Sequence, residues 1–400
     1  MLCELVDLNP AQWTHKTFTT GATGSNVIGL ACGREWVVAK AAERKSGNKD
    51  VSIARHGLLS ACSQAGIESI QILTTVPHSS IRKAASILGL GHSSVIDCGD
   101  DTYPYRFDIH KLTSALSTPK TASIIMISAC EVNSGMFATS SLEDMQALRQ
   151  LADKYGAWIH IDAAMGFMAR VLPASDAAFS TLRACASGLH LADSITGDGH
   201  KLLNVPYDTG FLLSRHLDTG LQVFQNPGAA YLAPAAAAAA SASTGVQDSA
   251  MIPSPLHIGL ENSRRFRALP VYANLLAYGR SGYRDMIVRQ VKVARKLAAY
   301  LYDSPHFDVY APEPGMSEAE VLDNVFMIVL FRARDEAVNE ELVARINGTR
   351  RIYCSGTMWE GRKAARIAVS NWQASVEEDW DVLREVLEEV VDGAGRGEKS

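Results

Sequence analysis

The first two hundred residues alternate short apolar runs with amphipathic stretches, and that rhythm constrains the fold more than any other feature. Residues 69–75 (SIQILTT), 122–129 (ASIIMISA), 157–162 (AWIHID) and 191–196 (LADSIT) read as strands, and TFTT at 17–20 as a further strand-like run. Between them, 26–44, 79–89, 108–117 and 143–154 carry helical patterns. Strands that are continuous apolar runs suit burial on both faces. Alternating with helices, they predict an α/β fold: a large domain with a mostly parallel mixed sheet flanked by helices.

A chain of 400 residues is long for one core, so a second, smaller domain is expected. Near residue 225 the pattern breaks into QNPGAAYLAPAAAAAASASTGVQDSAMIPSP, too long for an ordinary connection and typical of a lid, a binding loop or disorder. Helices are predicted at 264–279 and 283–303. The tail, 306–392, mixes strands (FMIVLF, AARIAVS) with helices, as an α+β domain does. Ser375 and Glu378 stand in capping-box spacing before an apolar stripe that marks a final helix. The expected division is a large domain at 1–260, connecting helices at 261–303 and a small C-terminal α+β domain at 304–400.

A net charge of −5 offers no electrostatic case for nucleic acid or an anionic membrane, so the expected partner is a small molecule. Seven cysteines are scattered with no Cys-x-x-Cys pair, which predicts neither a metal site nor a disulfide framework and fits a reducing compartment. No run of eighteen apolar residues predicts a membrane span. The N-terminus, MLCELVDLNP, lacks the basic start and cleavage site of a secretory signal. A cytoplasmic location is expected.

Four strand ends carry residues that a core does not explain. Open α/β sheets bind ligands at such ends. TFTTGATGSN runs from a strand through Gly21, Ala22, Thr23 and Gly24 into a helix, either an anion cradle or an ordinary glycine turn capped by Ser25 or Asn26. His78 precedes a helix capped by Ser79 or Ser80, and is either functional or a half-exposed packing residue. Asp162 ends WIHID and is followed by Ala163 and Ala164. A buried acid there needs a cation or donors, whether from a ligand or from a loop it caps. Lys201 ends Asp198-Gly199-His200-Lys201. It is either a surface lysine in a turn or, with Leu202, Leu203 and Val205 around it, an activated nucleophile whose pKa is lowered. Gly197 and Gly199 would make room for a ring system. An anion cradle, a ring-stacking group, a carboxylate and a lysine are together the parts of a pyridoxal 5'-phosphate site.

With those residues in view, the sequence resembles the group II pyridoxal-phosphate-dependent amino acid decarboxylases, of the aspartate-aminotransferase fold type. DSITGDGHK, HIDAA and PHSSIRKAA carry the likeness most specifically. The resemblance implies that Lys201 forms the Schiff base and that His200 and Asp198 lie near the phosphate, Asp198 where many relatives have Asn. Asp162 would pair with the pyridine nitrogen, Ala164 would lie under the ring and His78 over it. Gly21, Ala22 and Thr23 would bind the phosphate, and Arg366 of the small domain would stand near the site. Three departures are visible. Many relatives carry a helical segment before the phosphate loop, and with residue 1 only shortly before that loop this segment is expected to be absent. ISACEVNSG replaces a Gly-Thr-Thr type run, leaving Glu131 and Asn133 near the expected cofactor oxygen. Pro255 falls at the place of the loop tyrosine that protonates Cα, with Tyr231 before it and His257 after it. The resemblance thus implies a homodimer that decarboxylates an L-amino acid to an amine and CO₂, with Lys201, His78 and Asp162 as its catalytic residues. The alternatives are a carbon–carbon lyase, an aldehyde-forming relative, or an inactive cofactor-binding partner subunit. The loop of 228–255 would line the substrate pocket.

Overall fold

The structure, a computed structural model, describes residues 1–226 and 253–396. The Ala-rich loop, Tyr231 included, lies almost wholly outside the described residues.

Seven strands form the main sheet: β1 (His15–Thr19), β2 (Ser69–Thr74), β3 (Val95–Asp97), β4 (Thr121–Ser128), β5 (Trp158–Asp162), β6 (Ser194–Asp198) and β7 (Gly210–Ser214). Their order is β1-β7-β6-β5-β4-β2-β3, and only β7 runs against the others. The α/β architecture expected from the rhythm is therefore present. Two strands went unpredicted. β3 has three residues, two of them exposed, and β7 is five residues with no alternation. β6 starts and ends later than expected: the Asp193 carboxylate accepts the N–H of Ile159 at 2.7 Å, so the chain joins the sheet only at Ser194 and stays in it through Asp198.

The double-sided burial is visible along β4. Ile124 and Met126 belong to the core on one face, Ile125 and Ile127 to the core on the other. Each such side chain contributes roughly 1.5–3 kcal/mol of hydrophobic stabilisation. The second core is built by the helix Ala22–Ser46, which starts four residues before the predicted position and ends on left-handed Gly47. Gly29 and Gly33 let this helix lie against β5. A Cβ on Gly29 would stand 2.4 Å from the His160 ring, and one on Gly33 3.0 Å from Trp158. On the opposite face, the helix Leu142–Tyr155 buries Met145, Leu148 and Ala152.

The two connecting helices form one run, Ala268–Asp303, bent at Gly279 (φ 58°, ψ −173°). Beyond it β8 (Phe307–Val309), β9 (Ile328–Ala333), β10 (Ser355–Trp359) and β11 (Arg362–Ala368) make an antiparallel sheet in the order β10-β11-β9-β8. FMIVLF and AARIAVS thus fall on β9 and β11. The last helix, Glu378–Arg396, presses Leu383, Val386, Leu387 and Val390 onto this sheet. Its capping differs from the expected box. Ser375 Oγ accepts the Glu378 N–H at 3.3 Å, but the Ser375 N–H is taken at 3.0 Å by Asp379, one residue further along. A reciprocal box forms instead at Ser317 and Glu320.

Candidate active site

A cavity of about 590 Å³ opens at the carboxyl ends of β1, β4, β5 and β6, and all four singled-out motifs reach it. The phosphate-loop candidates Gly21, Ala22 and Thr23 line it, as do His78, Asp162, Ala164, Asp198, His200 and Lys201.

The helix Ala22–Ser46 begins at the cavity, with Gly21 as its N-cap rather than Ser25 or Asn26. Gly21 has no side chain to satisfy the first turn, and an outside group takes over. Asp198, at the end of β6, accepts the Ala22 N–H at 2.6 Å. The N–H groups of Thr23 and Gly24 have no intrahelical acceptor, so the cavity meets the positive end of the helix. The other carboxylate oxygen of Asp198 lies 2.8 Å from Lys201 Nζ. Asp198 is almost fully buried, whereas Lys201 is 34% exposed and directed into the cavity. Leu202, Leu203 and Val205 belong to the core, so the partner of the amine is a carboxylate rather than an apolar wall.

His200 accepts the Thr209 N–H on Nδ1 at 3.2 Å, which leaves its proton on Nε2, 3.5 Å from Asp198. Burial lowers the pKa of this imidazole, and the Asp198 carboxylate opposes that shift. Tyr207 stacks on His200 with centroids 4.1 Å apart and also lines the cavity. The two glycines of this stretch serve packing and not a ligand. A Cβ on Gly197 would lie 2.2 Å from the Phe211 ring, and one on Gly199 2.7 Å from Thr209.

Asp162 is buried at the end of β5 and faces the helix Ala22–Ser46. Its Oδ1 accepts the Ala164 N–H at 3.2 Å and its Oδ2 accepts from Asn26 at 2.9 Å. His78 is itself the N-cap of the helix Ser79–Ile87, in place of the expected Ser79 or Ser80. Its Nδ1 accepts the Ser80 N–H at 3.2 Å and lies 2.7 Å from Ser80 Oγ.

The segment after β4 closes the far side. Glu131 lines the cavity but spends its carboxylate on the N–H groups of Asn133, at 3.0 Å, and Ser134. Asn133 turns to β10, where Thr357 Oγ donates to it at 2.8 Å. Arg366, on β11, also lines the cavity and donates from Nε to the Val132 carbonyl. The small sheet thereby clasps this loop. Pro255 starts a single turn, Pro255–His257, and is not among the cavity residues.

Cavity residues that the motifs did not single out include Ser128, Cys130, Tyr207 and Ser370. Behind the cavity wall, Asn26, Ser80 and His160 were also missed as site residues. His160 had a readable signal, since it stands two positions before Asp162 on the same strand and so shares its face.

Residues 1–321 match the family model described as the pyridoxal-dependent decarboxylase conserved domain. The chain is 26% identical over 336 residues to L-2,4-diaminobutyrate decarboxylase of Acinetobacter baumannii, covering 82% of this chain and 58% of that one. It is 24% identical over 346 residues to phenylacetaldehyde synthase of Arabidopsis thaliana, covering 83% and 64%. It thus spans less than two thirds of these relatives. Among solved structures, the glutamate decarboxylase domain of a diaminobutyrate-pyruvate transaminase and L-2,4-diaminobutyrate decarboxylase from Vibrio parahaemolyticus shares the fold. Its TM-score is 0.70 at 20% identity, over 98% of this chain and 70% of that one.

Proposed function

The chain belongs to the pyridoxal-dependent decarboxylase family, and from that premise we propose that it removes CO₂ from an L-amino acid, leaving the amine. The observation that carries this reading is the bridging carboxylate of Asp198. It draws the Lys201 amine, at 2.8 Å, and the open N-terminus of a helix, at 2.6 Å, to the same end of the sheet as the buried Asp162.

The residues fit pyridoxal 5'-phosphate. The two helix N–H groups without acceptors at Thr23 and Gly24 suit a phosphate, and at Gly21 a side chain would crowd the His200 ring, at 3.2 Å. Asp162 is a buried acid that lines the cavity, the residue type a pyridine nitrogen requires. Bound there, the cofactor supplies an electron sink for the pair released when the carboxylate leaves. Lys201 would hold the cofactor covalently, its amine placed in the cavity by Asp198. Asp162 would hold a proton on the ring nitrogen. His78 and Ala164 would hold the ring from its two sides, and Arg366 would meet the substrate from the small sheet. In this division of labour residues 1–260 carry the cofactor, 261–303 connect, and 304–400 close the site.

We further propose a homodimer in the cytoplasm. Seven free thiols suit a reducing compartment, and Leu269, Tyr272 and Leu276 expose an apolar stripe at helical spacing. Among the described residues no helix is long and apolar enough to cross a membrane. A second reading, aldehyde formation, is favoured by Pro255 at the loop-tyrosine position and by the likeness to phenylacetaldehyde synthase.

Two measurements test the proposal. After incubation with pyridoxal phosphate and borohydride reduction, peptide mapping should find the pyridoxyl group on Lys201; a label elsewhere, or none, refutes the cofactor assignment. Supplied with a panel of L-amino acids, the enzyme should release CO₂ and amine in equal amounts. Aldehyde with oxygen uptake would select the second reading, and no CO₂ from any substrate would refute both.

A further inference from the structure

Behind Asp162 lies a buried polar network whose hydrogen-bond directions are all determined. The Trp158 indole, which can only donate, gives its N–H to Ser194 Oγ at 2.9 Å, and Ser194 Oγ lies 2.7 Å from His160 Nδ1. His160 Nε2 lies 2.9 Å from Asn26 Oδ1, which also accepts from Thr196 Oγ at 2.9 Å. The amide nitrogen of Asn26 donates to Asp162 Oδ2 at 2.9 Å and to Ser80 Oγ at 3.0 Å, and Ser80 Oγ reaches His78 Nδ1 at 2.7 Å.

Only one assignment of hydrogens satisfies these contacts. The carboxylate accepts only, so the amide nitrogen of Asn26 faces Asp162 and its oxygen faces His160. His160 therefore carries its proton on Nε2 and accepts on Nδ1 from Ser194. Complete burial, which lowers the pKa of His160 to about 3, keeps the ring neutral. The Ser80 backbone N–H can only donate, so His78 Nδ1 is an acceptor, and the proton in its 2.7 Å contact with Ser80 Oγ comes from the hydroxyl, which itself receives from Asn26. The neutral His78 ring is left with its proton on Nε2, the nitrogen turned away from Ser80.

We propose that Asn26 is a positioning residue of the active site. Its single amide orients the Asp162 carboxylate and, by donating to Ser80 Oγ, turns the hydroxyl proton toward His78 Nδ1. The two groups follow separate strands, yet one side chain is linked to both, directly to Asp162 and through the Ser80 hydroxyl to His78. This inference rests on the placement of Asp162 and His78 in the site, and its first test needs neither cofactor nor turnover. A buried network of this kind is rigid only if every member is satisfied.

Protein labelled with ¹⁵N in its histidine rings and free of cofactor is compared as wild type, Asn26→Ala, Ser80→Ala and Ser80→Thr, with His78 assigned from its own substitution. The wild type should show His78 as the Nε2–H tautomer. Ser80→Ala, which keeps the backbone N–H but loses the hydroxyl, should keep that tautomer and move the His78 Nδ1 resonance downfield, and Ser80→Thr should restore the wild-type position. Titration with pyridoxal phosphate should then give an Asn26→Ala dissociation constant raised about tenfold or more, the scale of one lost hydrogen bond to a charged group. Ser80→Ala should change it by less than about threefold, because Asp162 keeps its donor. An Nδ1–H His78 in the wild type overturns the inference, as does an Asn26→Ala protein with an unchanged His78 Nδ1 resonance and unchanged affinity. Should Asn26→Ala fail to fold, the Ser80 pair decides.

Discussion

His160 makes the acid limb of stability predictable. Its imidazole is fully buried, and burial lowers its pKa from 6.5 to about 3. Between those values the unfolded chain binds a proton that the folded chain refuses, so stability rises with pH across the window and is lost on acidification from about 6.5 downward. Each unit is worth about 1.36 kcal/mol, so at about pH 5 the cost is about 2 kcal/mol. Gln in place of His160 can donate to Asn26 and accept from Ser194 without titrating. Denaturant unfolding of cofactor-free wild type and His160→Gln, at about pH 7.5 and about pH 5, isolates the effect, because all other acid-sensitive groups are common to both. The wild type should lose about 2 kcal/mol more than the variant on acidification. Equal losses would refute the assignment of a neutral, proton-refusing ring at the heart of the network.

Gly29→Ala should destabilise the chain by about 1–3 kcal/mol in denaturant unfolding, because a Cβ 2.4 Å from the His160 ring outweighs the better helix propensity of Ala. Arg149→Ala should cost about 3 kcal/mol, since Asp193 is buried and would lose the guanidinium 2.8 Å away; a loss below about 1 kcal/mol would contradict the pairing. Asp198→Ala should raise the dissociation constant for pyridoxal phosphate about tenfold by uncapping Ala22 and releasing Lys201, while Asp198→Asn, which keeps an acceptor, should change it by less than about threefold. Thiol titration of the native protein should modify half-buried Cys62 first, as mass mapping would reveal. Burial pushes Cys32 up to about 12 and Cys98, Cys185 and Cys354 to about 11.

The strands that carry the site were legible because chemistry interrupts an apolar run at a definite place. Asp162 and Lys201 stand out against Ile159, Ile161, Leu202 and Leu203, and the parallel architecture brings all such ends to one edge of the sheet. What local pattern could not reveal is which group caps which end. Ser79, Ser80, Ser25 and Asn26 are all good N-cap residues by type, yet His78 and Gly21 hold those positions. In the second case the cap is supplied by Asp198, 176 residues away. A local propensity has no access to such a partner. The same holds for Gly197, whose missing side chain answers to Phe211 across the strand pair rather than to a ligand.

The helix Ala22–Ser46 shows why these misreadings share one cause. Gly29 and Gly33 in its interior each forgo about 1 kcal/mol of helix stability. What they permit is contact between the helix backbone and the rings of His160 and Trp158. That approach brings Asn26 within 2.9 Å of Asp162, whose Oδ2 a helix held further off would leave without its donor. The N-terminus of the helix meets the cavity because Gly21 and Gly210 pass close together, with a Cβ on Gly210 falling 2.5 Å from Gly21. The phosphate-end geometry and the orientation of the buried acid are therefore consequences of one docking event, the seating of this helix on β5, β6 and β7. A substitution that lifts it should weaken both at once, so Gly29→Ala should lower cofactor affinity as well as stability even though its methyl group never enters the cavity.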